Sequence, residues 1–139
     1  MSTHRVWLAL VAVVLALGWH GIATAEVARD VLDGSVFEGV LREMDADSGG
    51  DPDRLIFQEG RFISEACKDY GFEEADYSAH QEAGQIRFQA TSTSPSHGTM
   101  VWSGVREGDW MEAEVVWTKE RWYWDIRREY RFEGRLSAP

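Results

Sequence analysis

A single cysteine, Cys67, leaves this 139-residue chain with no possible intramolecular disulfide, so its stability must come from packing and hydrogen bonds. The thiol itself reads as a small buried hydrophobe. Histidine is scarce as well. His4 and His20 fall in the first twenty residues, and the other two, His80 and His97, lack ligand-like spacing, which argues against a metal site. Gly-x-Ser-x-Gly, a phosphate-binding loop and any other nucleophile motif are missing, so the chain reads as a non-enzyme without a cofactor. Positive charge is also short: 14 Lys and Arg stand against 24 Asp and Glu, for a formal net charge of −10. Nucleic acid and anionic membranes are poor partners for such a surface, because both require clustered cations. A basic protein partner stays open.

The chain has one long apolar run, Val6 to Leu17, preceded by Arg5 and followed by the small-x-small sequence Ala23-Thr24-Ala25. That is the layout of an export signal cleaved after Ala25. The run meets Gly18, His20 and Gly21 too early to serve as a membrane span, which needs about 20 apolar residues. The expectation is a periplasmic or secreted protein of bacterial type, with residues 26–139 forming one domain and no membrane span after cleavage. Losing Arg5 and no acid makes the remainder still more acidic.

Helical periodicity is nearly absent beyond the leader; only "EVARDVLD" is helix-compatible, and it is too short to be stable alone. What is there instead is alternation. In "GQIRFQAT", Ile86, Phe88 and Ala90 oppose Arg87 and Gln89; in "WMEAEVVWT", Met111, Ala113, Val115 and Trp117 oppose Glu112 and Glu114. The segments "SVFEGVLRE", "DRLIFQ", "RFISEAC", "DYSAHQ", "TMVWSGV" and "RWYWDIRREYRFEG" complete a set of eight, separated by glycine-bearing turns such as Gln58-Glu59-Gly60 and Glu82-Ala83-Gly84. Eight consecutive antiparallel strands avoid exposed edges by closing. The predicted fold is all-β, an up-and-down meander closing into a small barrel, with a two-sheet sandwich as the alternative.

The last strand raises the question of a cation inside. Period two puts Trp122, Trp124, Ile126, Arg128, Tyr130 and Phe132 on one face. Arg128 then closes one end of the barrel by lying over Trp124 or Trp102, or anchors the charged head of an amphipathic ligand. An exported meander with the glycine-led first strand "LDGSVFEG" and a cation among aromatics on the last strand resembles the calycin group of lipocalin-like, avidin-like and fatty-acid-binding-protein-like barrels. The resemblance is architectural and spans Leu32 to Leu136. In lipocalins a Gly-x-Trp on the first strand packs beneath an arginine from the end of the barrel. Here Gly34-Ser35-Val36-Phe37 stands in that place, without the tryptophan. The resemblance implies Arg128 as that arginine, with Phe37 or a nearby tryptophan as its stacking partner.

Two function classes follow. In the first, Arg128, Trp102, Trp117, Trp122, Trp124 and Tyr130 line a site for an apolar or amphipathic small molecule. In the second, large rings fill the barrel, and its acidic exterior, with Tyr70, Phe72 and Tyr77 as an aromatic tip, serves as an interaction or inhibitor-like module for a basic protein. The loop "DADSGGDPD" spaces Asp45, Asp47, Asp51 and Asp53 like calcium ligands, but Ile56 stands where the bidentate glutamate belongs. It reads as a solvated acidic turn, and no metal is assigned.

Overall fold

In the computed structural model, which describes residues 31–137, eight antiparallel strands follow one another and the last pairs with the first. The strands are β1 (Val36–Glu43), β2 (Asp51–Gln58), β3 (Arg61–Ser64), β4 (Ala75–Glu82), β5 (Gln85–Ser94), β6 (Gly98–Glu107), β7 (Trp110–Lys119) and β8 (Ile126–Leu136). The barrel is therefore closed, and the sandwich alternative is set aside. The signal sequence, its cleavage after Ala25 and most of the helix-compatible "EVARDVLD" lie outside the described residues. Among the described residues, no helix is long and apolar enough to cross a membrane.

Tight turns hold one end of the barrel. Glu59 and Gly60 join β2 to β3 with φ of 52° and 73°, and Ala83 and Gly84 join β4 to β5 with φ of 50° and 80°. Two consecutive positive φ values give the turn whose twist matches a right-handed hairpin. Leu32, fully buried, packs against the core from the segment before β1. Asp33 ties this segment down: its carboxylate accepts from the Gly60 amide (3.0 Å) and from the Tyr77 hydroxyl (2.6 Å). The opposite end, called the mouth below, carries the longer connections 44–50, 65–74, 95–97 and 120–125.

Closure depends on one pair of small residues. Gly39 of β1 and Gly134 of β8 are register partners, and a Cβ on either would run into the backbone of the other strand. Only glycine allows so close an approach at this seam.

The interior is layered and filled. Reading across β6, β7 and β8, the inward rows are Met100, Trp117 and Arg128 at the mouth; Trp102, Val115 and Tyr130 below; then Gly104, Ala113 and Phe132; then Arg106, Met111 and Gly134. Rings occupy the centre. Phe57 meets Phe37, Phe62, Tyr77 and Phe88 at centroid distances of 4.9 to 6.2 Å, and Phe62 meets Trp102 at 5.1 Å. Edge-on and tilted contacts of this kind add to the stabilisation from burial itself. Phe88 leans into the space above Gly104, where a Cβ would collide with its ring. The small inward residues thus accommodate neighbouring rings, which is the large-against-small packing of a dense core.

The wall has one weak stretch. β3 pairs with β4 through only two residue pairs, Arg61 with Asp76 and Phe62 with Ala75, and β4 pairs with β5 only from Tyr77 and Ala90 downward. Residues 65–74 fill the gap with a 3₁₀ turn, Ala66–Tyr70, where alternation had suggested that β3 runs on through Cys67. Cys67 and Phe72 plug the opening, both 4% exposed.

Candidate functional site

The mouth is assembled by β1, β7, β8 and the 120–125 loop. β8 begins at Ile126, so the period-two reading of Trp122 and Trp124 as inward residues does not hold: both lie in the loop, 93% and 60% exposed. The physical reason is the ladder. β7 and β8 separate beyond the Lys119 and Ile126 pair, and a residue outside a ladder has no pleat to assign it a face. Tyr123 sits between the two tryptophans in edge-on contact with each, at 4.7 and 4.0 Å. The result is an exposed run of three rings, with Arg121 donating to the Tyr123 hydroxyl at 3.2 Å.

Arg128 does keep the inward register, but at the rim of the barrel. Its Nη1 donates to Glu43 Oε1 at 2.9 Å, with both side chains 56% exposed. It is therefore a solvated rim cation and not the cap over Trp124 or Trp102. The cation that does lie over a ring is Arg106, whose guanidinium carbon is 5.5 Å from the Phe37 centroid and which donates to the Gly108 carbonyl (2.9 Å) and Ser35 Oγ (3.3 Å). It sits at the end opposite the mouth. The arrangement expected of Arg128 is thus made by Arg106 over Phe37, and the sequence did hold a signal for it: Met100, Trp102, Gly104 and Arg106 alternate on one face of β6.

Below the rim, Trp117 and Tyr130 are partly buried and pack on the core. The Trp117 indole N–H donates to the His97 carbonyl at 2.6 Å, and a buried indole needs such a partner. Burial pushes the Tyr130 hydroxyl up from its ordinary value, Glu43 adds to the effect and Arg128 opposes it. Trp102 lies deeper, fully buried, with an indole nitrogen that meets no acceptor among the described residues. Of the six residues expected to line a site, Trp117, Trp122, Trp124, Arg128 and Tyr130 gather at the mouth, while Trp102 belongs to the core.

The three rings expected at an aromatic tip are separated. Tyr70 stands at the surface, 54% exposed, with its ring 5.4 Å from His97, whereas Phe72 and Tyr77 are buried. Tyr77 reaches Asp33 at the far end of the barrel. The acidic loop is likewise divided, because Asp53 turns inward. Its Oδ1 accepts from the amides of Arg54 (2.7 Å) and Ala66 (2.9 Å), and its Oδ2 from Ser64 Oγ (2.5 Å). No group of three or more His, Cys, Asp or Glu among the described residues is arranged to hold a metal ion.

Cys67 lies beside this buried carboxylate. Its thiol is pushed up to about 11, mainly by burial, with Asp53 adding and a hydrogen bond from Ser64 opposing. Relative to a thiol at its ordinary value of 9.0, the thiolate fraction near pH 8 falls by about a hundredfold. Native protein mixed with a thiol-reactive disulfide reagent at pH 8 is expected to label far more slowly than the same protein in urea. Equal rates would contradict the burial of Cys67.

Three concavities, of about 430, 510 and 940 Å³, lie on the outer wall rather than between the rings. Comparison of the chain with protein-family models, with curated proteins and with solved structures finds no match, so the functional reading rests on this geometry, which is that of a closed eight-stranded antiparallel barrel consistent with a calycin-like architecture.

Proposed function

We propose that this protein is an exported, non-enzymatic, calycin-like binding module, working in a periplasm or beyond, that takes an apolar or amphipathic small molecule at its mouth. The observation that supports this reading is the exposure of Trp122, Tyr123 and Trp124 together in the loop that leads into β8, at the end of the barrel where the Arg128–Glu43 pair also lies. Keeping three large rings in water forgoes the stabilisation their burial would give, and Tyr and Trp combine an apolar face with a polar edge suited to a contact surface. Because phenylalanines and Trp102 fill the barrel centre, the ligand lies across the mouth, its apolar part on the rings of the 120–125 loop. An anionic head replaces Glu43 at Arg128. That exchange costs little, since an exposed ion pair contributes only about 0–1 kcal/mol.

The test is a titration of the protein with dodecyl phosphate, followed by intrinsic tryptophan fluorescence. The emission shifts to shorter wavelength with saturation. Trp122→Ala and Arg128→Leu each weaken binding by about tenfold, and both variants keep the wild-type unfolding midpoint. An unshifted emission, or unchanged affinity in both variants, overturns the proposal.

A further inference from the structure

A second recognition site follows from the place where the barrel wall is incomplete. We propose that the edge of β5 from Thr91 to Ser94 accepts an extended basic peptide segment as an added strand. This site is on the outer wall and does not depend on the binding proposed for the mouth.

The first observation is the ladder. β5 is paired with β6 along its whole length, Gln85 to Ser94, but with β4 only up to Ala90. Above that point the neighbouring wall is residues 65–74, which contribute a 3₁₀ turn instead of a strand. The one side-chain tie made there is at the upper tip, where Ser94 Oγ donates to the Tyr70 carbonyl at 2.7 Å. Thr91 and Thr93 are exposed. A strand with one side left out of the sheet presents a row of backbone donors and acceptors, and adding a strand is the most direct way to satisfy them.

The second observation is the groove beside that edge. It has a volume of about 940 Å³, and its lining includes Thr91 and Thr93 on one side and Glu73 and Glu74 on the other. Ala75, Tyr77 and Ala90 also line it although their side chains are buried. Their main chain is engaged where the ladders end, Ala75 opposite Phe62 and Tyr77 opposite Ala90, with the Tyr77 amide donating to the Gly60 carbonyl at 3.2 Å, so an added strand pairs with β5 above Ala90.

The third observation is charge. Glu59, Glu73, Glu74 and Asp76 face the groove against the single cation Arg61. That cation is already engaged by Asp76 Oδ1 (3.1 Å) and the Glu74 carbonyl (2.8 Å). Glu73 and Glu74 therefore confront an incoming segment with uncompensated negative charge. A strand alternating Lys or Arg with apolar residues places every second side chain toward these acids and the others against the wall. Charged side chains flanking an edge also discourage indiscriminate pairing, so the same acids that repel an acidic strand favour a basic one.

The test uses a short fluorescent peptide alternating lysine and valine, an acidic counterpart alternating glutamate and valine, and a lysine peptide N-methylated at alternate residues. The methylated peptide keeps the charge but cannot complete a ladder. We expect the lysine peptide to bind with an affinity that falls as salt rises, the methylated peptide to bind about tenfold more weakly, and the acidic one not to bind. Glu73→Gln combined with Glu74→Gln should weaken binding several-fold, and the amide resonances of Thr91 to Thr93 should shift most on titration. No binding of the lysine peptide overturns the proposal. So does equal binding of the methylated peptide, which would reduce the groove to an electrostatic patch, or a shift confined to residues away from β5.

Discussion

Phe57→Ala is expected to lower stability by about 3–5 kcal/mol, the range for removing a ring from a core that cannot collapse around the gap. Phe57 is fully buried and touches four other rings, Phe37, Phe62, Tyr77 and Phe88, so its loss empties the centre of the barrel. Equilibrium urea unfolding reads the difference directly. The same measurement on Trp122→Ala should give a change within about 0.5 kcal/mol, because a side chain with 93% of its surface in water has little packing to lose. A small effect at Phe57 would mean that the interior is loosely packed. That would reopen the barrel as a ligand cavity.

Asp53→Ala is the second substitution with a large expected cost, about 2–4 kcal/mol. It removes the acceptor of three hydrogen bonds, to Ser64 Oγ and the amides of Arg54 and Ala66. Buried donors left without partners are costly, and the Ala66 amide starts the 3₁₀ turn that carries Cys67 into the mouth. Asp53→Asn keeps an acceptor for the amides and places a donor near Ser64 Oγ, so it should cost only about 1 kcal/mol at neutral pH. The two variants also separate in pH dependence. Burial pushes the Asp53 carboxyl up from 3.8, and its hydrogen bonds from Ser64, Ala66 and Arg54 only partly offset this. An acid raised in the folded state binds its proton more tightly there than in the unfolded chain. Its contribution to stability is therefore present below the unfolded value and is lost as pH rises through the folded one. The stability of Asp53→Asn relative to wild type should accordingly improve as pH rises from about 3.8 and level off once the buried acid is ionised. A gap that narrows on lowering the pH would contradict the assignment.

Much of the barrel was legible because period-two alternation is a local property. "GQIRFQAT" and "WMEAEVVWT" place Phe88, Ala90, Met111, Ala113 and Val115 inside, as their patterns require. The Glu59-Gly60 and Ala83-Gly84 turns are equally local, since two residues with positive φ fix a hairpin without help from the rest of the chain. What alternation could not supply was where a ladder stops. Trp122 and Trp124 continue the pattern of β8 but precede its first pair, so they stand in solvent. The segment "RFISEAC" suggests a β3 that runs on to Cys67, yet the strand ends at Ser64, where the buried carboxylate of Asp53 holds the following turn. Asp53 itself looked like part of a solvated acidic loop. Its burial depends on donors from residues 64 and 66 that no local pattern announces. The same limit applies to the cation over a ring: Arg106 and Phe37 are 69 residues apart in sequence and meet only because β8 closes on β1.

The central claim is that the barrel is filled and that small-molecule recognition takes place at its mouth. Fluorine NMR of protein carrying 5-fluorotryptophan, titrated with dodecyl phosphate, tests both halves at once, with each resonance assigned by single substitution. The account predicts that the Trp122 and Trp124 signals move on titration, that Trp117 follows weakly, and that Trp102, enclosed among Phe62, Ala90 and Val115, stays where it is. Movement of Trp102 ahead of the loop tryptophans would place the ligand inside the barrel, and a spectrum in which no tryptophan moves would remove the mouth as a binding site.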